Sequence, residues 1–190
     1  GADPLLAVNV GPVLPPLLAG QKCAGAALPS SGGITLPTGR YGSGLRALDT
    51  PAANEDPLPA RVAQSGTDLF RVAQTFGTAL SASATGGTGN DLAGQLAVVA
   101  RCIAANSPTR VYTVQLGGFD THADEKGTQS RLLGQLDAAV SGFLTSIAGG
   151  PRGNDVIVAL YSEFGRRVAA NASQGTDHGT ASNVFVLGAG

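Results

Sequence analysis

The 190 residues include no methionine and no tryptophan, and aromatic side chains make up only 5%. The core must therefore be built from Leu, Val, Ala and Ile rather than from large rings. Charge is scarce as well: 13% of residues are charged, against about 25% in ordinary soluble domains, and the net charge is −1. Lys and Arg form no run anywhere. Binding a phosphate backbone takes clustered cations, so nucleic acid is excluded as a partner. Long apolar runs are missing too. No stretch approaches the roughly 20 apolar residues that cross a bilayer, because Pro and Gly interrupt each candidate. The first twenty residues are apolar, but Pro4, Pro12, Pro15 and Pro16 break them and no basic segment precedes them, which excludes a signal peptide. The two cysteines, Cys23 and Cys102, lack the CxxC spacing of zinc or redox sites. Two buried thiols are the reading from spacing, with a disulfide as the alternative in an exported protein.

What is present suits one α/β domain with a real core: 43% hydrophobic residues and 28 glycines, about twice the usual share of roughly 7%. The missing methionine, and an end just after the apolar run at residues 183–188, predict a segment of a longer protein cut at both ends. Residues 1–56 are rich in Pro, Gly and Ser and are expected to be irregular, with short strands near residues 5–10 and 34–36. Val62, Leu69, Val72, Ala73, Phe76 and Leu80 recur at helical spacing, as do Leu92, Leu96, Val99 and Ile103, with Asn90 or Asp91 available as a cap. The intervening Gly86-Gly87-Thr88-Gly89 lacks the GK[ST] of a phosphate loop and reads as a linker. Residues 110–116 alternate as a strand. Leu132, Leu133, Leu136, Ala139, Val140, Phe143, Leu144 and Ile147 then make an amphipathic helix that ends at Gly149-Gly150-Pro151, and the apolar run 155–161 reads as a strand buried on both faces. Strand, helix, strand predicts a βαβ unit with the two strands parallel and adjacent.

Ligands in open α/β sheets gather outside the carboxyl ends of the strands. Asp120 and His122 follow the first of these strands, and Ser162, Glu163 and Arg166 follow the second. Asp177 and His178 lie on the loop that leads into the last strand. The chain has only two histidines, and each has an aspartate within two residues. Converging Asp, Glu and His side chains make an oxygen- and nitrogen-rich site for a divalent ion such as zinc, manganese or calcium. Asp120, His122, Glu163, Asp177 and His178 are the candidate ligands, and Arg166 is the candidate planar fork for a phosphate or sulfate oxygen. A Ser162-His178-Asp177 triad ranks lower, since Tyr161-Ser162-Glu163-Phe164-Gly165 is not a G-x-S-x-G elbow. Asn171-Ala172-Ser173 matches the N-x-[ST] pattern, which is common by chance.

Gly118-Phe119-Asp120-Thr121-His122, Ser162-Glu163-Phe164-Gly165-Arg166-Arg167-Val168, Gly175-Thr176-Asp177-His178-Gly179-Thr180 and Val184-Phe185-Val186-Leu187-Gly188 resemble the bacterial family labelled domain of unknown function 1501. The resemblance covers residues 60–190 clearly and the first part loosely. It implies a partial alkaline phosphatase-like sandwich, with parallel βαβ core strands and flanking helices, in the alkaline phosphatase and sulfatase superfamily. It also implies a periplasmic or extracellular location, one or two bound metal ions, and a small-molecule or polymer ester as substrate. Asp120, His122 and His178 then look like metal ligands, with Glu163 where relatives place an aspartate-histidine pair. Three departures accompany this: Asp120 and His122 are spaced closer than is usual in relatives, Ser162-Glu163-Phe164-Gly165-Arg166 stands where many relatives have a histidine, and the superfamily's nucleophile and a further metal-binding aspartate have no counterpart, which places the nucleophile in sequence before Gly1. The reading from another class is a binding or scaffold protein on the same fold. In it Glu163 and Arg166 pair with each other or with backbone, and His178 is buried without metal.

Overall fold

The computed structural model describes residues 3–21, 24–30, 32–81 and 92–188. Its centre is a three-stranded parallel sheet in the order β2-β1-β3, formed by β1 (Ala7–Val10), β2 (Ala26–Leu28) and β3 (Val111–Thr113). β1 is zipped on both sides, Val8 to Ala26 and to Tyr112. Being central, it carries two of the most deeply buried strand residues, Val8 and Val10, with Leu28 on β2 buried beside them. Its one polar side chain, Asn9, is also buried and is satisfied on both sides: it accepts from the Thr113 hydroxyl at 2.8 Å and donates to the Val13 carbonyl at 2.8 Å. A buried amide with both ends bonded avoids the desolvation cost of an unpaired one.

Among the described residues there are four α-helices: α1 (Gly39–Leu48), α2 (Pro57–Ser81), α3 (Leu92–Ala104) and α4 (Glu125–Ala148). α3 is the innermost. Leu92, Leu96, Val98, Val99 and Cys102 are buried on it, and it packs on α2, α4 and β1. Phe76, Leu80, Val140, Phe143 and Ile147 from the flanking helices complete the core with Val8, Val10 and Leu28. The fold is mixed α/β. No described helix is long and apolar enough to cross a membrane. Burial pushes the Cys102 thiol up to about 11, only partly offset by Arg101, so this cysteine is a packing residue. Cys23, the glycine-rich linker and the Asn90/Asp91 cap lie outside the described residues.

Several expectations need correction. Residues 34–36 form no strand. The second strand is Ala26–Leu28, and α1 follows in what reads as irregular chain. α1 buries only Gly42, where a Cβ would lie 2.3 Å from the Pro37 carbonyl oxygen, and leaves Tyr41 and Leu48 exposed. It docks on α2 instead through Arg46, whose guanidinium lies 3.9 Å from the Phe70 ring centroid, and through the Asp49 carbonyl, which accepts from the Thr67 hydroxyl at 2.6 Å. That contact rotates the first half of α2: Ala63 and Phe70 are buried, while Val62 and Leu69 face solvent.

The βαβ expectation is also corrected. β3 pairs with β1, and β4 (Ile157–Tyr161) pairs antiparallel with β7 (Val184–Gly188) in a separate two-stranded sheet. β3 stops early because Gln95 on α3 takes over the next rung. Its amide oxygen accepts from the Gln115 N–H at 2.9 Å and its amide nitrogen donates to the Gln115 carbonyl at 2.9 Å. A side chain thus completes the backbone pairing that a neighbouring strand would supply. Nor is β4 buried on both faces. Val158 and Leu160 pack on the core, whereas Ile157, Ala159 and Tyr161 are exposed, as is β7 from Val184 to Leu187.

Candidate metal centre

Three segments meet beyond the ends of β3 and β4. The first is the loop after β3, which carries Phe119, Asp120, Thr121 and His122. The second is the turn after β4, with Phe164, leading into β5 (Gly165–Arg166). The third is residues 171–177, leading into β6 (His178–Gly179). β5 and β6 pair antiparallel with Arg166 opposite His178. This pairing needs glycine on both strands: a Cβ at Gly165 would lie 2.6 Å from the Gly179 carbonyl oxygen, and one at Gly179 would lie 2.6 Å from the Arg167 nitrogen.

Asp120, His122 and His178 come together at the surface. Their ligand atoms all lie within 4.8 Å of one another. Asp120 Oδ1 is 2.8 Å from His178 Nε2 and 3.5 Å from His122 Nδ1, and the two imidazole centroids are 4.8 Å apart. The ring of Phe164 stacks on His178 at 4.1 Å between centroids, fixing one face of that imidazole. All three donors are open to water, with side chains 65%, 48% and 47% exposed for Asp120, His122 and His178.

The other candidates are placed differently. Asp177 Oδ1 accepts from the Asn171 amide at 3.0 Å, and Asp177 is not in the cluster. Glu163 is exposed on the turn before Phe164 and is not in the cluster either. Arg166 has its fork turned inward. Its Nη1 donates to the Thr121 and Thr176 carbonyls, its Nη2 donates to the Phe119 carbonyl, and its Nε lies 3.3 Å from Glu125 Oε1. The guanidinium is thus committed to protein oxygens and is not presented as an oxyanion fork.

Sequence reasoning passed over the residues that hold this arrangement together. Glu125, the first residue of α4, accepts at Oε2 from the Thr176 amide (2.7 Å) and hydroxyl (2.8 Å). The amides of Asp124, which caps α4, and of Glu125 are in turn taken by the Ser173 and Gln174 carbonyls, which satisfies donors that a helix start leaves open. Asn171 donates to the His122 carbonyl at 2.9 Å while its Oδ1 accepts from the Ser173 and Gly175 amides. Gly175 closes the contact: a Cβ there would lie 2.5 Å from the His122 carbonyl carbon and oxygen. Gly175 and Thr176 stand inside the 175–180 motif without any mark of a structural role, and the only signal for Glu125 is its place three residues after His122. Gly175→Ala should therefore cost about 1–3 kcal/mol as backbone is forced apart, read as a lowered urea midpoint.

Glu125 also sets an acid limit. Burial raises its carboxyl, but the hydrogen bonds from the Thr176 hydroxyl and amide, the charge of Arg166 and the bond from Gln129 together outweigh this and hold it below the usual value. A depressed carboxyl contributes stability that is fully present above the unfolded value, roughly 4.3 for Glu, and is lost as pH falls through the lowered folded value. Stability measured by urea unfolding should thus fall on the acid side of that window, and Glu125→Gln should flatten that part of the profile.

Residues 50–190 match the family model described as Protein of unknown function (DUF1501). No curated protein matches the chain, and no solved structure matches it.

Proposed function

Since the chain belongs to the family described as Protein of unknown function (DUF1501), a description that carries no activity, we propose its function from the donor cluster: a metal-dependent hydrolase of phosphate or sulfate esters on an alkaline phosphatase-like framework. The observation that carries the reading is the convergence of Asp120 and His122, from the loop after β3, with His178 of β6. A carboxylate and two imidazoles fit zinc or manganese. They fit calcium less well, because calcium takes six to eight oxygen ligands. Held there, a divalent ion would supply Lewis-acid polarisation of an ester oxygen.

The chain's own residues do the rest of the binding work. Asp120 supplies the negative charge, and Phe164 holds the His178 ring against rotation. The solvent-facing position of all three donors suits a substrate that arrives from bulk water, whether a small molecule or a polymer. The inactive-scaffold reading fits in part: Arg166 pairs with backbone carbonyls as it expects, whereas His178 is exposed rather than buried. A periplasmic or extracellular location accompanies the family resemblance.

The test is to strip the full chain of metal, titrate zinc and manganese, and assay chromogenic phosphate monoesters, phosphate diesters and sulfate esters with and without the bound ion. Metal-dependent turnover of one ester class is expected. A chain that binds neither ion at micromolar concentration overturns the reading.

A further inference from the structure

We propose that Arg166 is a positioning residue for the donor cluster, acting as a clamp that locks the Asp120/His122 loop to the His178 strand. The proposal rests on the metal reading for its functional meaning. Its structural basis is independent of that reading.

The guanidinium reaches three carbonyls on two segments, those of Phe119 and Thr121 on one side and of Thr176 on the other. Phe119 and Thr121 flank Asp120, so holding both of their peptide planes fixes the direction in which the Asp120 side chain leaves the backbone. Thr176 lies two residues before His178, and the β5–β6 register sets His178 directly opposite Arg166. One planar group therefore references both halves of the cluster to the same point. Arginine suits this task because its N–H donors radiate in a fixed fork, whereas lysine offers a point charge on a flexible stem.

Burial divides clamp from donors. The Arg166 and Glu125 side chains are 16% and 13% exposed, whereas the donors above them are close to half exposed or more. Glu125 balances the buried charge and ties Thr176 by amide and hydroxyl, so the clamp is anchored at the start of α4. The Arg166 guanidinium also lies 5.4 Å from the centroid of Phe164, the ring that stacks on His178. Outer groups of this kind set metal affinity by holding the ligands in place, and their loss typically costs about 10- to 100-fold.

The experiment compares the full chain with Arg166→Lys and Arg166→Gln. Zinc chloride is titrated calorimetrically into each, and circular dichroism verifies folding. A second, metal-free readout is the set of ring-to-ring nuclear Overhauser effects linking Phe164, His178 and His122. The chain has two histidines, and Phe164 is identified among its six phenylalanines by resonance assignment. Weakening of about 10- to 100-fold in both variants, with loss of the ring contacts, is expected; lysine keeps the charge and still fails to restore affinity. Unchanged affinity in a folded variant overturns the clamp, as does restoration by lysine, which would make the effect one of charge alone. Should Arg166→Gln not fold, Arg166→Lys decides. Should the unaltered chain bind no zinc, the metal reading fails. The ring contacts then decide the clamp by themselves, and their persistence in a folded Arg166 variant overturns it.

Discussion

His178→Ala is expected to weaken zinc binding by more than about 100-fold while leaving folding stability nearly unchanged. Removing an outer group costs about 10- to 100-fold, and removing one of three direct donors should cost more, because two protein ligands and water do not hold an ion against the bulk. Stability should move little: His178 is exposed, and its loss removes one ring stack and one hydrogen bond at the surface. Surface substitutions of this kind fall within about 0.5 kcal/mol. His122→Ala should behave alike, since its Nδ1 faces the same Asp120 oxygen. Asp120→Asn separates charge from shape, because it keeps an acceptor oxygen in place and loses the negative charge. Competition against a chromophoric chelator measures all three. If both histidine variants hold zinc as tightly as the unaltered chain, the ion sits elsewhere and the cluster is a surface hydrogen-bonding group.

Those residues were legible in the sequence because two histidines, each close to an aspartate, follow strand-like runs, and strand ends are where sheets gather ligands. The rank of the candidates was not legible. Asp177 and His178 are adjacent in the sequence, yet their side chains part at the start of β6. Asp177 turns to Asn171, and His178 turns to Asp120. Arg166 reads as a free fork only until the carbonyls of Phe119, Thr121 and Thr176 are seen to surround it, and backbone carbonyls leave no trace in side-chain patterns.

The fold shows the same division. Helices with a continuous apolar stripe, α3 and α4, follow from periodicity. α1 does not, because its three glycines, Gly39, Gly42 and Gly44, read as turn residues and its short Tyr41-Leu45-Leu48 repeat stays largely unburied. Strand existence was clear near residues 111–113, 157–161 and 184–188, yet partners were not, since the hydrophobic run of β4 is compatible with a parallel or an antiparallel neighbour. β1 lies far from β3 in sequence and only long-range contact pairs them. The Gln95 side chain that occupies the Gln115 rung is likewise a tertiary fact with no local signature.

Phe76→Ala is expected to destabilise the chain by about 3–5 kcal/mol, the usual cost of deleting a buried ring. Phe76 is 0% exposed and is the largest side chain among those fully buried. With aromatics scarce, few other large groups stand ready to fill the void. Collapse is further resisted because the core it shares includes Val8 and Val10, on a strand laddered on both sides. Against a typical total of about 5–15 kcal/mol, this loss removes much of the margin, and urea unfolding should show a lower midpoint at an unchanged slope. Zinc offers a cross-check that joins this variant to the metal centre. An ion that binds only the folded chain adds about 2.7 kcal/mol at a concentration 100 times its dissociation constant. Zinc should therefore restore part of the lost stability in Phe76→Ala and none of it in Phe76→Ala combined with His178→Ala, because the core defect leaves the donors intact and the second change removes one of them.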